Sequence, residues 1–453
     1  ANRLPVVRTD EGWTASPGGL VRALLPIVQQ TGGSWVGWAG EVADDVNEPA
    51  QRIESHGIEL HVVPLDADDL AHYYEGFAND TLWPLYHDAI RDSGFRTEDW
   101  NSYETVNQRF ADRIEAIAPD GAAVWLHDYH LQLVPALLRT QRPDLRVGWF
   151  DHIPWPPIEL FQRLPWRTEV VEGLLGADLL GFQRVGGARN FLAAATELTD
   201  AVETSPGIVE FQGRRVRVDH FPISIDVADI ELQARSRSAR RQSAQIQARL
   251  GDPEVILLGV DRLDYTKGIG SRLRAFGQLL DDGRLDPAQH VMVQIATPTR
   301  EGVEHYQDER REIEQLVGEI NGRHSRLGFP VLHYLYQTLP LEQLLPLYRA
   351  GDVMLVTPIR DGMNLVAKEY VAAHPDGDGV LVLSEFTGAA DELEQALLVN
   401  PHDERALQDA IVQAVEMPRS ERLARMQALR DSLHANDVNH WAQSFLGALL
   451  EDA

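Results

Sequence analysis

The chain has 453 residues, Lys+Arg 41 against Asp+Glu 69, a formal net charge of -28 and no cysteine. A single hydrophobic core stops growing near about 250–300 residues, so the length calls for two or three domains. The acidity argues against a nucleic-acid partner, and the absence of thiols removes disulfides and Cys-based zinc sites, which fits a cytoplasmic protein.

A local basic pocket for a small phosphorylated ligand stays compatible with this acidic exterior. No apolar run reaches the roughly 18 residues of a membrane-spanning helix. Ala1-Asn2-Arg3-Leu4-Pro5 lacks the apolar stretch of a signal peptide. It reads as the tail of a strand, as if the chain had been trimmed upstream.

Along the first half, apolar runs at 34–38, 58–63, 122–126, 147–150 and 179–182 predict strands. Amphipathic helix-length segments lie between them at 20–30, 98–118 and 131–139. Residues 208–222 read as β-like, with Gly213 at a hairpin turn. The stretch 225–250, rich in Ala, Arg, Gln and Ser, predicts one long polar helix leading into a second domain. After Gly251-Asp252-Pro253 the alternation restarts, with strands expected at 255–260, 291–296, 331–336, 353–357, 380–383 and 397–399. An amphipathic helix over 440–450 ends the pattern and is expected to pack across onto the first domain.

Such alternation belongs to α/β proteins with parallel sheets, whose ligands bind beyond the carboxyl ends of the strands. The chemically loaded residues fall there. The segment 351–370, GDVMLVTPIRDGMNLVAKEY, runs from a buried strand into a loop with Arg360, Asp361 and Gly362. A helix is expected to begin near Met363, where unpaired N–H groups and the dipole suit a pyrophosphate. Glu369 lies about two turns beyond Asp361 and could accept from sugar hydroxyls. A capping Asp and a solvated Glu are the plainer alternative.

In VDRLDYTKG (260–268), Arg262 and Lys267 bracket a turn after another apolar strand. Two such cations could neutralise a diphosphate leaving group, although Arg and Lys in a loop are more often plain surface. In the first half, His127-Asp128-Tyr129-His130 and Asp151-His152-Ile153-Pro154 finish neighbouring strands. Their spacing specifies no metal site; hydrogen bonds to sugar hydroxyls fit better, with simple polar strand ends as the alternative. Arg3, Tyr74, Trp83 and Arg300 stand in loop-like contexts and suit a phosphosugar pocket, with Trp as a platform and Arg as a phosphate fork. Nothing in their spacing links them. The Gly18-Gly19 pair reads as a loop before the first helix, and neither a Walker motif nor a G-x-G-x-x-G in strand–helix context is present.

Taken together, VDRLDYTKG, RDGMNLVAKEY, LSEFTGAADEL (383–393), YYEGFANDTLWPLYH (73–87), HDYHLQLVP and HIPWPP carry a resemblance. The chain resembles the trehalose-6-phosphate synthase family, glycosyltransferase family 20, in a form similar to its actinobacterial members. The resemblance runs from Ala1 to the 436–441 region.

It implies an α/β GT-B fold of two Rossmann-like doubly wound domains facing a central cleft. Domain spans of 1–235 for the acceptor, 236–435 for the nucleotide sugar and 436–453 for the returning helix follow. It also implies retaining transfer of glucose from UDP- or GDP-glucose to glucose 6-phosphate, with no cofactor, no metal and small-molecule partners only. Oligomeric state and donor base stay open, the base depending on loops around 293–297 and 335–345.

Carried over by resemblance, Arg262 and Lys267 hold the donor diphosphate, assisted by the backbone of Asn364 and Leu365. Glu369 takes the ribose, while Asp361 and His152 hold donor glucose hydroxyls under the Gly18-Gly19 loop. Asp128, Tyr74 and Trp83 flank the acceptor sugar, and Arg3 and Arg300 clamp its phosphate. Two positions depart from the family pattern: Asp151 stands where an apolar residue is more usual, and Trp155 where Phe is common. A relative with another acceptor, such as a glucosylglycerol phosphate or cyclitol-coupling enzyme, and a silent sugar-phosphate sensor remain the competing readings.

Overall fold

Two six-stranded sheets organise the computed structural model, which describes residues 1–9, 12–16, 18–46, 51–89, 94–300 and 302–451. They belong to two compact units, Ala1–Ile223 with Asn439–Ala453, and Ser224–Val438.

The first unit opens with an antiparallel pair, β1 (Val6–Thr9) and β2 (Gly12–Ala15). Strands β3 (Ser34–Gly37), β4 (Arg52–Ser55) and β5 (Ile58–Val62) form a small sheet of order β3–β5–β4. The main sheet uses β6 (Ala123–His127), β7 (Arg146–Phe150), β8 (Leu179–Phe182), β9 (Val202–Ser205), β10 (Ile208–Phe211) and β11 (Arg214–His220). Its order is β6–β7–β8–β11–β10–β9, parallel from β6 to β11 and antiparallel beyond. Gln212 and Gly213, both at positive φ, turn β10 into β11 as the hairpin signal predicts.

The helix Val438–Leu450 packs on this main sheet. Phe445 stacks on Trp125 at 4.6 Å, and a Cβ at Gly181 would stand 2.6 Å from the Phe445 ring. Glycine in β8 is therefore what admits the helix.

The second unit holds β12 (Val255–Arg262), β13 (His290–Thr297), β14 (Leu332–Tyr336), β15 (Val353–Val356), β16 (Val380–Ser384) and β17 (Leu397–Val399). All five pairings are parallel, in the order β14–β13–β12–β15–β16–β17. Numbered within the unit, that is the doubly wound 3-2-1-4-5-6 arrangement. The apolar runs carry it because parallel strands covered on both faces read as near-continuous hydrophobic sequence. Order reverses between β12 and β15, which places a crevice at their carboxyl ends.

Three expectations are corrected. The long helix over 225–250 is two helices, Val227–Ala234 and Arg237–Arg249, because the Ser236 side chain caps Ala239 N–H and restarts the chain. The expected helix at 131–139 becomes a tight turn, Tyr129–Leu131, and then a helix Val134–Gln141 with Pro135 in its first turn. Tyr74 and Trp83 are helical, not in loops. Leu70–Leu82 forms a π-helix, and Trp83 N–H reaches Ala78 O, five residues back, before the turn Trp83–Tyr86.

Candidate active site

Strand β12 ends at Arg262, which is exposed, and the chain then turns through Asp264 and Lys267 to Gly268. Gly268 has φ +65, and a Cβ there would lie 2.3 Å from Thr357 O, just past β15. Ile359 N–H donates to Thr266 O at 2.8 Å, so the two loops interlock through backbone. Lys267 is 7% exposed and donates Nζ–H to Asp361 Oδ2 at 2.6 Å. Asn364 Nδ2 reaches the same oxygen at 3.2 Å, while its Oδ1 caps Ala367 N–H at 3.1 Å. The helix Leu365–Ala372 thus begins two residues later than expected, from an Asn364 at φ 83.

The segment after β16 covers this loop from the other side. Ala389 N–H donates to Met363 O at 2.9 Å and Asp361 N–H to Phe386 O at 3.1 Å. A cationic pair, a fixed carboxylate and a helix start therefore meet at the strand-order reversal, where a diphosphate can be bound and its charge stabilised.

Asp264, unassigned from sequence although it lies inside VDRLDYTKG, ties this loop to the segment that follows β13. Its buried carboxylate accepts from Thr266 N–H at 2.9 Å, Arg300 NH1 at 3.2 Å and the Tyr306 hydroxyl at 3.2 Å. Burial pushes its pKa up, yet Arg300, Arg262 and Lys267 together outweigh that and hold it at about 2. Beneath it, fully buried Arg272 bonds Asp261 at 2.6 Å, Gln294 at 3.0 Å and Thr357 at 3.1 Å, bracing β12, β13 and the end of β15. Glu369 is 2% exposed and accepts from the Tyr348 hydroxyl at 2.9 Å. It is a buried, oriented carboxylate rather than a solvated one.

In the first unit, Arg3 is exposed and lies over Trp38 at 4.6 Å and Tyr74 at 5.4 Å, a cation held between two aromatic faces. Tyr74 in turn stacks on His130 with centroids 5.8 Å apart. Trp83 is 3% exposed, its ring 4.0 Å from His87 and 5.8 Å from Tyr129, so most of its surface is already committed. Trp38, Asn79 and His130 were not foreseen as partners. Asn79 joins Tyr74 O to the Tyr129 hydroxyl at 2.7 and 2.9 Å, a link no sequence spacing reveals.

His152 Nε2 stands 3.0 Å from His127 Nδ1, and His152 Nδ1 lies 3.3 Å from Gln183 Nε2. Gln183 Oε1 accepts Ile223 N–H, which fixes the amide and makes His152 Nδ1 the acceptor and Nε2 the donor. Burial lowers the His152 pKa to about 3, and His127 is also held well below its ordinary value, so both rings are neutral. Both His152 ring nitrogens are engaged.

Asp128 sits at φ 76 after β6, its carbonyl accepting Trp149 Nε1–H at 3.2 Å. The expected Gly18-Gly19 loop is shorter in the structure: Gly18 is the exposed N-cap and Gly19 is already the first residue of the helix Gly19–Thr31. Pro17, before it, lies outside the described residues.

Arg262, Lys267, Arg300, Asp361, Asn364, Leu365 and Glu369 belong to the second unit, and Arg3, Gly18, Gly19, Tyr74, Trp83, Asp128 and His152 to the first. Among the described residues, His72, Glu98 and Asp99 bring metal-ligand atoms within 4.8 Å of one another. Asp99 there already accepts from His72 Nδ1 at 2.7 Å and Arg96 Nε at 2.8 Å, which makes the group an ion-pair cluster. A cavity of about 730 Å³ beside β10 and β11, with Arg189, Arg215 and Glu451 in its wall, contains none of the expected site residues. No helix among the described residues is long and apolar enough to cross a membrane.

The chain is similar to known proteins in sequence and in fold. The chain is 53% identical over 464 residues to a trehalose-6-phosphate synthase of Mycolicibacterium vanbaalenii, covering 99% of this chain and 94% of the relative. An alpha,alpha-trehalose-phosphate synthase (UDP-forming) from Burkholderia xenovorans, solved in complex with glucose-6-phosphate, superposes with a TM-score of 0.91 at 35% identity, covering 96% of both chains. A trehalose-6-phosphate synthase structure from a study of glycosyltransfer with retention through bisubstrate glycomimetics matches with a TM-score of 0.90 at 37% identity over 99% of each chain. The fold is GT-B, and the family model of glycosyltransferase family 20 spans residues 2–451. With the motif-bearing loops at the strand ends and the match unbroken along the chain, this protein belongs to glycosyltransferase family 20.

Proposed function

We propose that the chain transfers glucose from a nucleotide-glucose to glucose 6-phosphate, forming α,α-trehalose 6-phosphate with retention at the donor anomeric carbon. The observation that carries this reading is the Lys267–Asp361–Asn364 cluster beside Arg262, set where the strand order reverses. Sequence identity of 53% to a trehalose-6-phosphate synthase supports the product. The UDP-forming description and bound glucose-6-phosphate of the Burkholderia xenovorans relative support the substrates.

In this reading Arg262 and Lys267 take the two phosphates of the donor, and the helix start at Asn364 and Leu365 adds backbone N–H groups. Glu369 receives the ribose hydroxyls. Asp361 meets a glucose hydroxyl, with His152 and the Gly18-Gly19 backbone serving the same sugar. Arg3 and Arg300 receive the acceptor phosphate, while Tyr74, Trp83 and Asp128 orient its ring.

The bond from the anomeric carbon to the phosphate oxygen breaks as the acceptor oxygen forms its bond on the same face. The acceptor hydroxyl proton passes to the departing phosphate. Positioning and stabilisation of that phosphate by fixed cations supply the rate, the part a metal ion would otherwise play.

The test is incubation with glucose 6-phosphate and UDP-, GDP- or ADP-glucose, following nucleotide release and the anomeric configuration of the product. Release that is insensitive to chelator and yields an α,α-linked phosphodisaccharide is expected. A β-linked product, or nucleotide release only with another acceptor, defeats the reading.

A further inference from the structure

Asp151 places a carboxyl at a strand end where an apolar residue is expected, and it is fully buried, at 0% exposure. Its backbone continues the sheet: Asp151 N–H donates to Gly181 O at 2.9 Å. One side-chain oxygen, Oδ1, accepts a long bond from Ile153 N–H at 3.3 Å, and Oδ2 is buried without a hydrogen-bond partner. Burying an unsatisfied carboxylate is costly, so such a group either finds a proton or a partner.

The neighbour is Asp128. His127 and Phe150 are register partners in the parallel pair β6–β7, and Asp128 N–H donates to Phe150 O at 2.7 Å. Asp128 and Asp151 are thus the next residues on adjacent strands, whose backbones run about 4.8 Å apart. Burial first, and then the Asp128 charge, push Asp151 well above the ordinary carboxylate range. Two tyrosines act on the pair from other elements. Tyr86 and Tyr103 are held in the phenol form by burial, and the Tyr86 hydroxyl is turned to Gln132 at 2.7 Å. His127 and His152, on the strand ends themselves, are neutral rings. Two carboxyls in such a place bond each other only through a shared proton.

We propose that Asp151 is a positioning residue for the transfer: it shares one proton with Asp128 and fixes the orientation in which the Asp128 carboxylate meets the acceptor sugar. Full burial keeps Asp151 itself from touching substrate. The proposal rests on the acceptor role given to Asp128 above and adds a consequence of its own. When the shared proton is lost at alkaline pH, two adjacent anions repel, Asp128 turns away, and acceptor binding weakens while the donor loops of the other unit are unaffected.

Two measurements on the full chain test this. Infrared difference spectra of wild type against Asp151→Asn are expected to show one protonated-carboxyl band at neutral pH that fades on alkaline titration. Steady-state kinetics are expected to show the wild-type KM for glucose 6-phosphate rising on the alkaline side, with Asp151→Asn flat over the same range. Asp151→Leu should raise that KM about tenfold at neutral pH, the loss of one hydrogen bond to a charged group, with donor KM and kcat changed less than about threefold.

Absence of the band at neutral pH overturns the proposal, as does an unchanged acceptor KM in Asp151→Leu. If Asp151→Leu does not fold, the isosteric Asp151→Asn still decides through its pH profile. If the protein turns over none of the nucleotide-glucoses, the functional reading falls while the infrared band still reports on the carboxyl pair.

Discussion

Two buried aspartates, Asp264 in one unit and Asp151 in the other, stand at the carboxyl ends of parallel strands and behave in opposite ways. Asp264 is ringed by Arg300, Arg262 and Lys267 and stays ionised down to about pH 2. Asp151 has an anion, Asp128, as its charged neighbour and is driven towards the neutral acid. Burial acts on both in the same direction, so the sign of the neighbouring charge decides. One unit therefore gathers cations around an ionised carboxylate at its strand ends, and the other gathers neutral hydrogen-bonding groups and aromatic faces.

The sharpest way to break this contrast is on the cationic side. Lys267→Ala removes one of two cations assigned to the departing phosphate, and kcat at saturating substrate should fall about a thousandfold, near 4 kcal/mol in the barrier. Turnover close to wild type at full saturation would take Lys267 out of the chemistry and leave it as the partner of Asp361.

Asp264→Asn should cost about 3 kcal/mol of stability in denaturant unfolding, because Arg300 and its neighbours lose a buried counter-charge. The pH dependence has a definite sign. With its folded pKa below the unfolded value, Asp264 contributes stability that is present above the ordinary carboxylate range and lost as pH falls towards about 2. Wild type should lose about 2 kcal/mol more than Asp264→Asn across that acid window. Parallel acid profiles would mean that the cations do not act on Asp264.

On the neutral side the sign reverses. The raised Asp151 contributes stability that is fully present below the unfolded carboxylate value and is lost as pH rises through its folded value. Asp151→Leu replaces a buried polar group by an apolar one and should gain about 1 kcal/mol at mildly alkaline pH, even as acceptor binding suffers. A loss of stability there would show that the carboxyl is satisfied and ionised.

How much of this could be read beforehand follows the same division. All six strands of the Ser224–Val438 sheet were legible, because strands covered on both faces are written as unbroken apolar runs. Their charged ends, Arg262, Lys267 and Asp361, stood out against that background. The polar edge strands β4 (RIES) and β9 (VETS) carry no such signal, and neither does the hairpin of β1 and β2. In the first unit Arg3 and Tyr74 come together through a π-helix, whose five-residue closure matches no period sought in sequence. Family resemblance named those residues, but not Trp38 or Asn79 beside them. The state of Asp151 was illegible for a different reason: an aspartate's letter does not say whether its neighbour across a strand is a cation or another carboxyl.

Trp155 offers the smallest and most discriminating change. It is 1% exposed and packs edge-on against Tyr86 at 5.2 Å and Phe191 at 5.1 Å, while its Nε1–H is buried without a hydrogen-bond partner. Trp155→Phe loses packing volume but also removes that unsatisfied donor, and the two effects oppose each other within about 1 kcal/mol. A loss above about 2 kcal/mol would instead reveal that the indole N–H has a partner in solution. Asp151 is the natural suspect, since it acts on the same Tyr86. A double-mutant cycle of Trp155→Phe with Asp151→Asn separates the cases: additivity within about 0.5 kcal/mol leaves the shared proton with Asp128 as what satisfies Asp151. Coupling well beyond that would hand Asp151 to the indole, and the contrast between a cation-held and an anion-raised aspartate would no longer stand.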